Sequence, residues 1–149
     1  MISYQDHGSS TWAGINSTDI PLLDNSILSV DACSTCSAYN SSSFCNLAIR
    51  KGALAYVGAI SVSFTFNYLH EKILEGIYKQ NLTLGESFTN SYGIYKPHPE
   101  RMWSVYMTTL FGDPTLKVNP PYLLKESLGI VCVGRDFSCG TYPCQDCTA

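Results

Sequence analysis

Ser26-Ile27-Leu28-Ser29-Val30-Asp31-Ala32-Cys33 is the stretch whose reading decides the fold. It is a short, largely apolar run with a β-branched centre, set between Asp24-Asn25 and a Ser-rich segment. A strand that alternated apolar and polar residues would have one wet face. This one reads as a compact apolar run, with Ile27 on one side and Leu28, Val30 and Ala32 on the other, the pattern of a buried parallel strand. Ala53 to Ala59 repeats the pattern. Between the two, Phe44 to Lys51 places Phe44, Leu47 and Ala48 on one side of a helix, and Gly52 stands where a helix-ending glycine belongs. Upstream, Ile2-Ser3-Tyr4 reads as the end of another strand, and Ser9 to Asp24 as a surface loop rich in Ser, Thr, Gly and Asn. Downstream, Leu69, Ile73, Leu74, Ile77 and Tyr78 recur at helical spacing over Asn67 to Gln80. Thr83-x-x-Glu86 is a capping-box pattern for a further helix that must stop before Pro97. Arg101 to Leu110 reads as helical, and Leu116-Lys117-Val118 as the start of a last strand. Strands alternating with helices predict an α/β domain with a mainly parallel sheet. Pro120-Pro121 marks a boundary, which gives a domain over residues 1–118 and a linker with a Cys-rich tail over 119–149.

A chain of 149 residues is long enough to bury a real core. Its net charge of −3 offers no basic footprint, which argues against nucleic acid as a partner. Only 14% of residues are charged, so Ser, Thr, Asn and Tyr supply the polar surface. Seven cysteines stand at 33, 36, 45, 132, 139, 144 and 147, an odd number that leaves one thiol over even after full pairing. Three sequons begin at Asn16, Asn40 and Asn81. Together they favour an extracellular or cell-surface location, with disulfides rather than zinc in the tail. The uncharged run from Gly52 to Leu69 would put Ser61, Ser63, Thr65 and Asn67 into lipid, so it does not read as a membrane span. Met1 to His7 has neither a basic start nor an apolar core, so a signal peptide would have to lie upstream.

In open parallel α/β sheets, reactive side chains gather at the carboxyl ends of the strands. His7 follows the first strand and Cys33 the second. Consecutive strands are usually neighbours, so the two side chains are expected to face one another. An imidazole is the base that turns a thiol into an attacking thiolate. The backbone N–H groups of Gly8 and Cys33 are candidates for an oxyanion hole. His70, in the charged stretch His70-Glu71-Lys72, reads as solvated surface, and His98, between two prolines, as a loop histidine. Tyr92, Tyr95, Trp103 and Tyr106 read as core or groove packing, and Asp113-Pro114 as a structural turn bending into the last strand.

Asp6-His7-Gly8-Ser9 followed by Ser29-Val30-Asp31-Ala32-Cys33 resembles the His-Gly and Ala-Cys signatures of caspase-like cysteine peptidases, and within them the gingipain family. Arg50-Lys51-Gly52-Ala53-Leu54-Ala55-Tyr56-Val57-Gly58 is similar to the helix-to-strand step after that family's nucleophile. Leu110-Phe111-Gly112-Asp113-Pro114-Thr115-Leu116 is similar to the motif that closes its catalytic domain. The resemblance spans about residues 2–118. It implies a partial caspase-like three-layer α-β-α sandwich, with strands missing upstream, so the chain is expected to be part of a longer polypeptide. It also implies a cysteine endopeptidase acting on proteins or peptides without a cofactor, with Cys33 as nucleophile, His7 as general base and acid, and Gly8 and Cys33 as oxyanion donors.

Two rival readings accompany it. A non-catalytic surface or adhesion module would keep the fold without a completed site. A thiol-disulfide redox protein would use Cys33-x-x-Cys36 as its dithiol. Cys36 and Cys45 form an alternative pair, a local disulfide shaping the loop beside the site.

Overall fold

The structure, a computed structural model, describes residues 1–9, 11–12, 14–37, 39–63, 67–93 and 99–118. Its chain order is β1 (Ile2–Gln5), β2 (Thr11–Trp12), β3 (Ile15–Asn16), a 3-10 turn (Ser17–Asp19), β4 (Ile27–Asp31) and α1 (Phe44–Arg50). There follow β5 (Ala55–Ala59), α2 (Asn67–Lys79), α3 (Leu84–Tyr92), α4 (Pro99–Met107) and β6 (Thr108–Gly112). The main sheet has the order β1-β4-β5-β6, and β2 pairs with β3 in a separate two-stranded ribbon. β1, β4 and β5 run parallel, while β6 is antiparallel to β5. The fold is therefore α/β with a mainly parallel sheet, in keeping with a partial caspase-like domain.

Alternation along β4 explains the layers, because successive side chains leave a strand on opposite faces. Leu28 and Val30 join Tyr4 and Tyr56 on one face, where α1 contributes Phe44, Cys45 and Ala48. Ile27 joins Ala55 and Val57 on the other, against Leu69, Ile73 and Ile77 of α2, with Leu84 and Val105. Both faces are covered, which is why β4 and β5 are buried at every position.

Two local signals fold as their chemistry dictates. Gly52 takes a φ of +96°, the left-handed geometry that ends α1 at little cost only for a residue without a Cβ. The Thr83 hydroxyl accepts from the Glu86 N–H, and the Glu86 carboxylate accepts from the Thr83 N–H, closing the capping box of α3.

Three expectations give way. The Ser9 to Asp24 segment is more than a surface loop. It carries β2, β3 and the 3-10 turn, and it buries Trp12, Ile20 and Leu23 in the core. Trp12 stacks between Tyr4 and Phe44 at ring-centre distances of 4.8 and 4.5 Å, so an aromatic in a polar segment closes one side of the core. Secondly, the helix read over Arg101 to Leu110 ends at Met107, and Thr108 starts β6, the last strand among the described residues. Two β-branched threonines and the open edge of β5 favour extended chain there. Leu116 instead accepts a hydrogen bond from the Leu84 N–H at the start of α3, so it joins no strand, and Pro114 follows the last strand instead of leading into it. Thirdly, His70 is buried. It points from α2 onto β4, where its Nδ1 lies 2.5 Å from the Ser29 hydroxyl. Desolvation holds its pKa near 4. The charged neighbours Glu71 and Lys72 suggested a wet face, but one turn of helix presents different residues to the sheet and to solvent. Among the described residues, no helix is long and apolar enough to cross a membrane.

Candidate active site

The parallel register of β1 and β4 sets Gln5 opposite Asp31, and the Asp6 N–H bonds the Asp31 carbonyl at 3.3 Å. The chains then turn away from the sheet, carrying His7 and Cys33 equally far past the last paired residues. Both sequence-identified side chains thus stand at the carboxyl end of adjacent strands.

The His7 turn is fixed through its backbone. The Tyr4 hydroxyl donates to the His7 carbonyl at 3.0 Å, and the Asp6 carboxylate accepts from the His7 N–H at 2.6 Å. With the backbone held at both ends, the ring extends from a defined point into solvent. An open groove of about 250 Å³ runs beside it, lined by Asp6, His7, Gly8, Ser9, Thr11 and Gly14.

Gly8 is the contact between the two turns. A Cβ at this position would fall 2.7 Å from the Ala32 Cβ, 2.8 Å from the Thr35 Cγ2 and 3.5 Å from the Cys33 carbonyl oxygen. The His-Gly dipeptide therefore has a steric reason, since the turn after β1 lies directly on the turn after β4 and only hydrogen fits between them.

The Cys33 turn is held from three directions. Ser34 adopts a φ of +52° and its N–H bonds the Ser61 carbonyl at 3.0 Å. The Cys36 N–H bonds Ala59 at the end of β5, and the Cys45 N–H of α1 bonds Thr35. Cys36 and Cys45 form a disulfide with their Cα atoms 5.0 Å apart. Both are fully buried, and Cys33, partly exposed, is the free cysteine among the described residues. With Cys36 joined to Cys45, the Cys33-x-x-Cys36 dithiol of the redox reading is not the pair that forms. The Cys33 thiol donates to the Ser63 carbonyl at 3.1 Å.

Beneath this turn, Thr35 Oγ1, Tyr56 Oη and Trp12 Nε1 are buried without reaching hydrogen-bond geometry to a described residue. Burial drives the Tyr56 hydroxyl well above its ordinary pKa, and nearby Thr35 and Trp12 offset part of that rise. The phenol therefore stays neutral, and the platform under Cys33 carries no charge.

His98 and the tail cysteines Cys132, Cys139, Cys144 and Cys147 lie outside the described residues, as does Tyr95. Tyr92 is half-buried and donates to the Thr108 carbonyl, whereas Trp103 and Tyr106 are exposed rather than core. Asp113 is structural as read, its carboxylate accepting from the Thr115 N–H and hydroxyl. No residue pattern announces the Ser63 contact, because a backbone carbonyl thirty positions from Cys33 has no side-chain signal.

A thiol and an imidazole on neighbouring strand ends are the parts a cysteine peptidase uses, and comparison with known families places the chain in that class. The family model for Peptidase family C25 matches residues 1–119. The chain belongs to this family, the gingipain family. No curated protein matches it.

Proposed function

We propose that the protein is an endopeptidase that hydrolyses peptide bonds through Cys33 and His7. The observation that carries this reading is the seating of Gly8 against the Cys33 turn, which brings the two loop ends of β1 and β4 into contact. In the resting state the Cys33 proton is donated to the Ser63 carbonyl. On attack, His7 takes that proton, and the thiolate swings off Ser63 because two electron-rich atoms repel. Sulfur bonds to the substrate carbonyl carbon, and the oxyanion is met by the backbone N–H groups of Gly8 and Cys33. The C–N bond then breaks as His7 returns its proton to the leaving amine, and a thioester remains. Water, deprotonated by His7, hydrolyses the thioester and restores the thiol. The substrates are proteins or peptides, and none of these steps calls for a cofactor.

An extracellular or cell-surface location fits the same reading. The Cys36–Cys45 disulfide suits an oxidising compartment, and the sequon residues Asn16, Asn40 and Asn81 are all exposed.

The test is labelling of the whole protein by a thiol-reactive peptidyl probe near neutral pH, read by mass spectrometry. Labelling at Cys33, absent in Cys33→Ala and slowed by roughly 10²-fold or more in His7→Ala, supports the reading. Labelling at the same rate with and without His7 would leave the fold with a non-catalytic surface role.

A further inference from the structure

Four large apolar side chains stand in water on two segments that are hydrogen-bonded to each other, residues 60–62, just after β5, and α4. Ile60 is 45% exposed, Val62 59%, Trp103 52% and Tyr106 69%. Soluble domains seldom leave such side chains clustered unless the surface binds something. The cluster is tied to the candidate nucleophile through residues 60–63, where the chain bends away from the end of β5. The carbonyls of Ser61 and Ser63 turn toward the Cys33 loop, accepting from the Ser34 N–H and the Cys33 thiol. The carbonyl of Val62 between them turns the other way and accepts from Trp103 Nε1 at 3.0 Å. Ile60 is tied to the end of α4 as well, its N–H bonding the Met107 carbonyl at 2.7 Å.

We propose that Val62 and Trp103 form an apolar ledge, one residue along the backbone from the Ser63 carbonyl that holds the Cys33 thiol, that receives an apolar side chain of the peptide being cleaved and so sets specificity. The inference rests on the peptidase reading and adds a substrate class to it. One extended chain is about 4.8 Å wide and a peptide advances about 3.3 Å per residue. A substrate whose carbonyl is at Cys33 therefore places a side chain over the indole within one or two residues of the scissile bond. The indole is already oriented by its hydrogen bond, so little rotamer freedom is lost when a ligand packs on it. Ile60, Ser61, Val62 and Ser63 carry no charge. A charged substrate side chain laid there would lose water without gaining a partner, whereas a leucine or phenylalanine would not. Ile60 and Tyr106 extend the same surface outward.

The experiment compares two peptidyl chloromethyl ketones that differ only in carrying leucine or glycine at a position near the reactive group. The whole protein is used, with iodoacetamide as the tail-less probe that normalises for thiol reactivity. We expect Cys33 to react about tenfold faster with the leucine probe, the scale set by one apolar side chain in a pocket. Trp103→Ala and Val62→Ser should each bring the ratio toward one, and Trp103→Phe should keep most of it. Val62→Ser changes an exposed side chain, so it holds the test if Trp103→Ala folds poorly. Equal rates for the two probes in the wild-type protein, or a preference that survives both variants, overturns the ledge. A leucine preference that the variants abolish in a protein that never cleaves a peptide sustains the ledge while overturning the peptidase reading.

Discussion

Gly8 and Ala32 are packed so closely that a methyl group on residue 8 would lie 2.7 Å from the Ala32 methyl. No pair of real Cβ atoms tolerates that distance, so one of the two turns must move. Gly8→Ala is expected to destabilise the domain by about 1–3 kcal/mol, the range for overpacking a filled site. It should also slow the alkylation of Cys33. Urea unfolding and probe labelling on the same preparation check both effects. A variant as stable and as reactive as the wild type would show that the turns are not in contact.

The buried His70–Ser29 pair predicts acid sensitivity. Its folded pKa near 4 lies below the ordinary 6.5, so the unfolded chain takes up a proton more readily than the folded one. The stability contributed by the neutral ring is complete above pH 6.5 and declines as pH falls toward 4. The full loss is about 3 kcal/mol. Thermal melts of wild type and His70→Gln across that window should show a shallower decline in the variant. Parallel curves would place His70 in contact with water.

The Cys36–Cys45 disulfide closes a short loop, with a sequence separation of 9. Loop entropy of that size is worth roughly 2–3 kcal/mol. Cys36→Ala with Cys45→Ala should lower the melting temperature accordingly. Because that loop holds the Cys33 turn, the double variant should also label more slowly at Cys33. Intact mass before and after reduction, followed by thiol mapping, verifies the pairing.

Thr83→Ala removes one side of the capping box that starts α3. The expected loss is about 1 kcal/mol. Denaturant midpoints measure it, and Thr83→Ser, which keeps the oxygen, should recover most of it.

What the sequence made readable was what depends on near neighbours. The glycine that ends α1, the capping box at Thr83 and the apolar runs of β4 and β5 each carry their cause within a few residues. His7 and Cys33 were placed at strand ends for the same reason, since a strand's end is a local event. The Trp12 stack, the burial of His70 and the exposure of Trp103 are settled by elements far away in the chain. Trp12 is buried because Tyr4 and Phe44 leave a slot between them, and nothing in Ser9 to Asp24 announces it. His70 faces β4 because the sheet lies on that side of α2, although its sequence neighbours are charged. Thr108 to Leu110 reads as the end of a helix because the antiparallel partner that makes it a strand, β5, lies far upstream in the chain.

The sheet order makes the two proposed reacting groups mechanical neighbours. β1 and β4 pair in parallel from Ile2–Leu28 to Gln5–Asp31, so the strand that carries His7 and the strand that carries Cys33 share one hydrogen-bonded ladder. Shear along that ladder is the displacement that changes the separation of sulfur and imidazole. A small slip there would detune proton transfer while leaving each side chain's own turn intact. Mild denaturant should accordingly slow hydrolysis before the core melts, and a ligand bridging the His7 and Cys33 turns would delay that loss without touching either reacting atom.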